Sequence, residues 1–161
     1  MPILHVHYDG EGKTPEGKIV KIPPGITLTQ HGPVVQVIIG LSQTFSDQLL
    51  QQGNALPTPV SGNALIDTGA SATCIDDEVA QRIGLPAIDV VSIASASHAV
   101  TQQNVYPVQM EIVGSPIRVN VPRAIGANLQ VQGIIALIGR DYLQHCTLHY
   151  NGIAGSITLS I

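Results

Sequence analysis

The sequence predicts an all-β domain with few and short helices, and three observations predict it. Apolar runs rich in Val and Ile, alternating or continuous, recur along the chain. Gly, Pro, Asn and Ser clusters separate them, as turns between strands require. Apolar residues make up 44% of the 161 residues but aromatics only 3%, so Val, Ile, Leu and Ala must fill the core.

Residues 1–30 are rich in Gly, Pro and Lys and weakly patterned, and read as an N-terminal arm ahead of a domain spanning 31–161. Val34 to Ile39 is the first core strand. Ser46 to Gln52 suits a short helix ended by Gly53, or an irregular insertion reaching Pro59. Ala64 to Ile66 and Thr73 to Ile75 are the next strands, with an acidic residue and a tight turn between them. Asp76 can cap a helix that has Asp77 and Glu78 at its positive end and Gly84 with Pro86 at its stop. Val90 to Ile93 and Val105 to Val113 follow as strands. Gly114-Ser115-Pro116 turns the latter into Ile117 to Val121. Ile134 to Ile138 leads into a short helix from Arg140 to Gln144. Asn151-Gly152 tolerates the positive φ angles of a tight hairpin and turns the chain toward Ile157 to Ile161.

The length accommodates one core and excludes two full lobes. Seven Lys or Arg stand against eleven Asp or Glu with no basic run, which speaks against nucleic acid as a partner. Charged residues total 11%, so the chain is expected to bury surface in an assembly or to bind something apolar. No basic flank precedes an apolar stretch at the N-terminus, and no apolar run approaches about 18 residues. A soluble, cytoplasmic protein without a membrane segment is expected. Cys74 and Cys146 lie among strand-forming residues and read as reduced core thiols.

The informative stretch is Ala64-Leu65-Ile66-Asp67-Thr68-Gly69-Ala70-Ser71, where a buried strand runs straight into a carboxylate. Such a group is costly unless it is used. Gly69 lets the main chain pass close to it, so that N–H groups face the carboxylate, and Thr68 offers a hydroxyl to cross-brace the loop.

Apolar-apolar-Asp-Thr-Gly-Ala resembles the active-site loop of the retropepsin-like aspartic peptidases, the retroviral protease family. Ile134-Ile135-Ala136-Leu137-Ile138-Gly139-Arg140-Asp141-Tyr142-Leu143 is similar to the family's second signature, an apolar strand, a Gly and a short helix opening with Arg. Cys146 to Tyr150 is similar to the strand that follows. The resemblance covers residues 31–161, points to a bacterial or cellular member, and implies a closed barrel with one lobe per chain.

It further implies an aspartic endopeptidase with Asp67 as the catalytic carboxylate, Thr68, Gly69 and Ala70 supporting the loop, and Arg140 holding the helix against it. A flap over substrate falls at Ser92 to Val105, where Ala94, Ser95, Ala96, Ser97 and His98 are the expected contacts. No metal or organic cofactor is implied. Aspartic peptidases need two carboxylates sharing one proton, because like charges about 3 Å apart cannot both ionise. Only Asp67 among seven aspartates is followed by Thr or Ser and then Gly, so the second must come from a symmetric homodimer.

The chain departs from the viral pattern in three places. Ser71 and Ala72 stand where an acidic partner for the helix Arg is common, which leaves the partner of Arg140 open. The flap lacks a glycine-rich tip, and a hairpin from Asn151 to Ile161 extends past the viral end.

Blander readings stand beside this one. Asp67 could merely cap a turn, and the same dimer could bind peptides or scaffold without cutting them. A Gly-Ala-Ser elbow would need a helix after Ser71 where strand residues follow. His5 with His7 on a strand face, or His145 with His149 on a helical one, could hold a metal but lacks a third ligand.

Overall fold

The structure, a computed structural model, describes the backbone of residues 1–95 and 98–161 and the side chains outside 94–100. Alternation of apolar and polar residues sets its framework. In β4 (Val34–Leu41), Val35, Val37, Ile39 and Leu41 point inward, while Gln36 is exposed. The same alternation buries Val119 and Val121 in β9 (Arg118–Ala127).

Six strands close a barrel. β4 pairs with β5 (Val60–Ile66), β5 with β10 (Ala136–Ile138), and β10 with β6 (Cys74–Asp76). β6 then pairs with β9, β9 with β8 (His98–Ile112), and β8 returns to β4. Closure removes the sheet edges that would otherwise need covering. β7 (Asp89–Ser95) extends β8 outside the ring as a hairpin. Two of the links, β5 to β10 and β6 to β9, are parallel, so the ends of β5 and β10 arrive side by side at one mouth of the barrel.

Aliphatic side chains fill the interior. Val37, Ile39, Ala64, Ile75, Met110, Val119, Ala136 and Ile138 are fully buried. Each buried Val, Leu or Ile contributes about 1.5–3 kcal/mol of transfer free energy, which explains how a core almost without aromatics suffices.

A second sheet of three strands lies outside the barrel, in the order β1 (Ile3–His7), β12 (Ser156–Ser160), β11 (Thr147–Asn151). Residues 1–30 are thus structured where the sequence showed only weak patterning. They supply β1, the β2–β3 ribbon (Gly10–Lys13 and Ile19–Ile22) and most of α1 (Pro24–His31). Leu4 and Leu28 enter the core, and the Tyr8 hydroxyl donates to the Val34 carbonyl at 3.0 Å.

The other helices are α2 (Gln43–Gln51), α3 (Asp77–Ile83) and α4 (Arg140–Leu143), with a 3₁₀ turn at Gln130–Gln132. α2 begins three residues earlier than the sequence indicates. β8 and β9 run well past their apolar cores, because pairing with each other carries the polar residues along. α4 ends at Leu143, so His145 and His149 do not share a helix: His149 lies in β11. Among the described residues no helix is long and apolar enough to cross a membrane.

Asp76 caps α3 as expected and does more. Its buried carboxylate accepts from the N–H groups of Glu78, Val79 and Leu129 and from the Gln130 side chain. Burial alone would push this carboxyl up, but the hydrogen bonds outweigh it and hold it below the usual carboxylate range. A depressed native pKa gives stability that is complete above the unfolded-state value, about 4, and is lost as pH falls through the native one. The stability advantage of wild type over Asp76→Asn should therefore shrink in urea titrations taken from neutral pH to below about pH 4. An advantage constant across that range would contradict this account.

Candidate active site

β5 ends at Ile66, and Asp67 follows directly at the barrel mouth. Its N–H donates to the Ile138 carbonyl at 3.0 Å, which ties the start of the loop to the neighbouring parallel strand. The carboxylate is half-buried. Its Oδ1 accepts the Gly69 N–H at 2.7 Å, and Oδ2 has no hydrogen-bond partner among the described residues. Gly69 is needed for close approach rather than for a left-handed φ, since a Cβ there would stand 3.0 Å from Asp67 Oδ1. Thr68 and Gly69 are exposed and Ala70 is half-buried.

The loop is held from below by α4. The Arg140 guanidinium donates from one nitrogen to the Thr68 carbonyl at 2.7 Å and the Gly69 carbonyl at 2.9 Å. The Arg140 N–H donates to Ala70 O at 2.9 Å and the Asp141 N–H to Ser71 O at 3.2 Å. Four consecutive carbonyls, 68 to 71, are therefore met by the first two residues of one short helix. The free N–H groups of a helix start suit this, and no carboxylate from positions 71 or 72 is required.

Asp141 fastens the other side. Its carboxylate accepts the Thr73 N–H at 2.9 Å and the Thr73 hydroxyl at 2.7 Å. That hydroxyl in turn accepts the Gly139 N–H at 3.1 Å, and Thr73 is fully buried. The sequence reading did not single out Asp141 or Thr73. The available signal was an acidic residue in the first turn of the helix, and the antiparallel pairing of β10 with β6 brings it to Thr73.

Gly139 sits where the two segments cross, and a Cβ there would lie 2.5 Å from the Ala72 carbonyl carbon and oxygen and 2.9 Å from Thr73 N. Backbone cannot yield as a flexible side chain can. Gly139→Ala should cost about 3 kcal/mol, lowering the melting temperature by roughly 6–12 °C. A calorimetric scan matching wild type would overturn this.

Beside Asp67 opens a cavity of about 380 Å³ lined by Gly32, Pro33, Leu65, Ile66, Asp67, Thr68, Leu148 and Tyr150. The wall is apolar apart from the Asp-Thr pair and the Tyr150 hydroxyl. Cys74 and Cys146 are free and half-buried, and burial, with Asp141 and Asp67 nearby, pushes the Cys74 thiol up to about 11.

The flap contacts expected from sequence fall on the β7–β8 hairpin. Ala94 and Ser95 end β7 and His98 begins β8, while Ala96 and Ser97 lie outside the described residues. Among the described residues no three His, Cys, Asp or Glu side chains gather as a metal site.

A family model described as "gag-polyprotein putative aspartyl protease" matches residues 59–145, which take in the Asp67 loop and Gly139-Arg140. Of solved structures, a retropepsin-like aspartic protease from Rickettsia conorii is similar, with 11% identity and a TM-score of 0.50 over 98% of this chain and 90% of that one. The retroviral protease-like domain of Ddi1 from Leishmania major is also similar, with 14% identity and a TM-score of 0.39 over 73% of this chain and 81% of that one. No curated protein matches the chain.

Proposed function

The chain belongs to this family of gag-polyprotein aspartyl proteases, and from that premise we propose that it is an aspartic endopeptidase whose acid dyad forms between two identical subunits. One observation carries the reading. A single Asp-Thr-Gly loop is fastened at the barrel mouth, with Asp67 Oδ1 held by the Gly69 N–H and Oδ2 left open among the described residues.

In this reading Asp67 of each subunit meets its copy across a two-fold axis, and the pair shares one proton. The ionised member takes a proton from a water between them as that water attacks the scissile carbonyl. The protonated member gives its proton to the carbonyl oxygen. Collapse of the tetrahedral intermediate releases the amine with no covalent enzyme adduct. The Thr68 hydroxyls interlock across the axis, and Arg140 keeps the loop in place. Extended peptides with apolar residues flanking the cut would add as a strand beneath the β7–β8 hairpin, near Ala94, Ser95 and His98. Residues 31–161 form the catalytic domain, and residues 1–30 are an extension whose first strand supports it.

The test compares wild type with Asp67→Asn on a mixed peptide library across acid to neutral pH, with and without chelator. Cleavage lost with Asp67 and retained in chelator supports the proposal. Cleavage untouched by the substitution ends it, and peptide binding without cleavage by wild type favours a scaffolding dimer.

A further inference from the structure

Asn63, Leu65 and Asp67 alternate along β5 and its continuation, and so share one face, opposite the buried Ala64 and Ile66. Beside the first two opens a second cavity, of about 320 Å³, and Leu65 also lines the one beside Asp67. Val34, Leu65 and Ile134 give this second cavity an apolar wall, while His31, Asn63 and Gln132 bring polar groups to it. At about 3.3 Å per residue, Leu65 and Asn63 stand roughly 7 and 13 Å from Asp67 along the strand. An extended peptide cut at Asp67 covers that distance with side chains roughly two to four residues from the cut.

His31 comes from the N-terminal segment, yet the core anchors it. It is the last residue of α1, whose Leu28 is fully buried. Gly32 ends the helix at a φ of 72°, which favours glycine, and its N–H donates to Leu28 O at 2.9 Å. A Cβ at Gly32 would lie 2.9 Å from Leu65 Cδ1, so this turn packs on Leu65 and sets His31 beside it. Asn63 Oδ1 already accepts from Gln36 Nε2, which leaves the Asn63 Nδ2 hydrogens without an acceptor among the described residues. The His31 ring and the Gln132 amide are likewise uncommitted there, and no carboxylate lines the cavity.

We propose, resting on the peptidase reading above, that this cavity is a specificity pocket for a glutamate or glutamine side chain of the substrate, and that His31 selects it. The methylenes of such a side chain lie along Val34, Leu65 and Ile134, and its terminal oxygen accepts from Asn63 Nδ2 and the His31 ring. A leucine leaves both donors without an acceptor. A lysine offers them only further donors and brings a like charge to a protonated His31. The two-fold arrangement of subunits supplies one such pocket on each side of the cut.

The test uses the Asp67→Asn chain, which should hold peptides without cutting them, and the fluorescence anisotropy of short labelled peptides. These carry an apolar pair at the centre, with Glu, Gln, Leu or Lys placed in turn roughly two to four residues to either side. At one position on each side, Glu and Gln should bind about tenfold tighter than Leu, the scale of one well-placed hydrogen bond, with Lys weakest. Adding His31→Leu should abolish this order and favour Leu, with an unchanged circular dichroism spectrum. His31→Gln, which keeps a donor, should retain the preference for Glu and Gln. Equal or undetectable binding of all four peptides, or the same order in the His31→Leu chain, overturns the pocket. Asp67-dependent cleavage by wild type that ignores the varied side chain also removes the pocket and leaves the peptidase reading standing. Discrimination in binding with no cleavage by wild type does the reverse.

Discussion

Asp67→Asn is expected to lower kcat/KM on the order of 10³-fold, the scale of a lost general acid-base pair, while leaving the fold intact. The substitution keeps side-chain volume and can keep an oxygen acceptor for the Gly69 N–H, which now bonds to Oδ1 at 2.7 Å. Loss of activity with an unchanged melting temperature would therefore locate the defect in proton chemistry and not in the loop. Mixing gives a sharper result. With a threefold excess of the Asn chain and free exchange of subunits, about one quarter of wild-type chains retain a wild-type partner, so activity per wild-type chain falls to about a quarter. Activity that is indifferent to the added chain would show that each carboxylate works alone.

The second large effect concerns stability. Asp141→Ala removes the acceptor of both the Thr73 N–H and the Thr73 hydroxyl, and Thr73 is fully buried. A buried donor left without a partner costs about 1–3 kcal/mol, so the variant should lose roughly 3 kcal/mol or more. For a chain of this size that corresponds to a fall of roughly 6–12 °C in melting temperature. Thr73→Val should lose part of the same energy, because the Gly139 N–H then has no acceptor. The double variant should be less unstable than the sum of the two, as expected for groups in one network. Strict additivity in calorimetry would mean that the two residues act independently.

Asp67 and its loop were legible in sequence because a carboxylate ending an apolar strand is costly, and because Gly69 and Arg140 follow at recognisable positions. The barrel strands were legible from their alternation. The N-terminal elements were not. β2 and β3 pair only with each other and bury little, so polar and glycine residues are tolerated and no pattern forms. β1 buries Leu4 and leaves Ile3 exposed, and it owes its place to pairing with β12, which lies about 150 residues away and leaves no local trace. The partner of Arg140 was sought among side chains and is instead main chain, to which residue identity gives no clue. The pairing of Asp141 with Thr73 likewise depends on β10 running antiparallel to β6.

Because Arg140 grips peptide oxygens, that clasp needs no neighbouring carboxylate. A guanidinium bound to a carboxylate would lose its partner's charge in strong acid, whereas this one meets carbonyl dipoles. The Arg140 side of the scaffold under residue 67 thus relies on no ionised carboxyl group, whereas the Asp141 side holds Thr73 through a carboxylate.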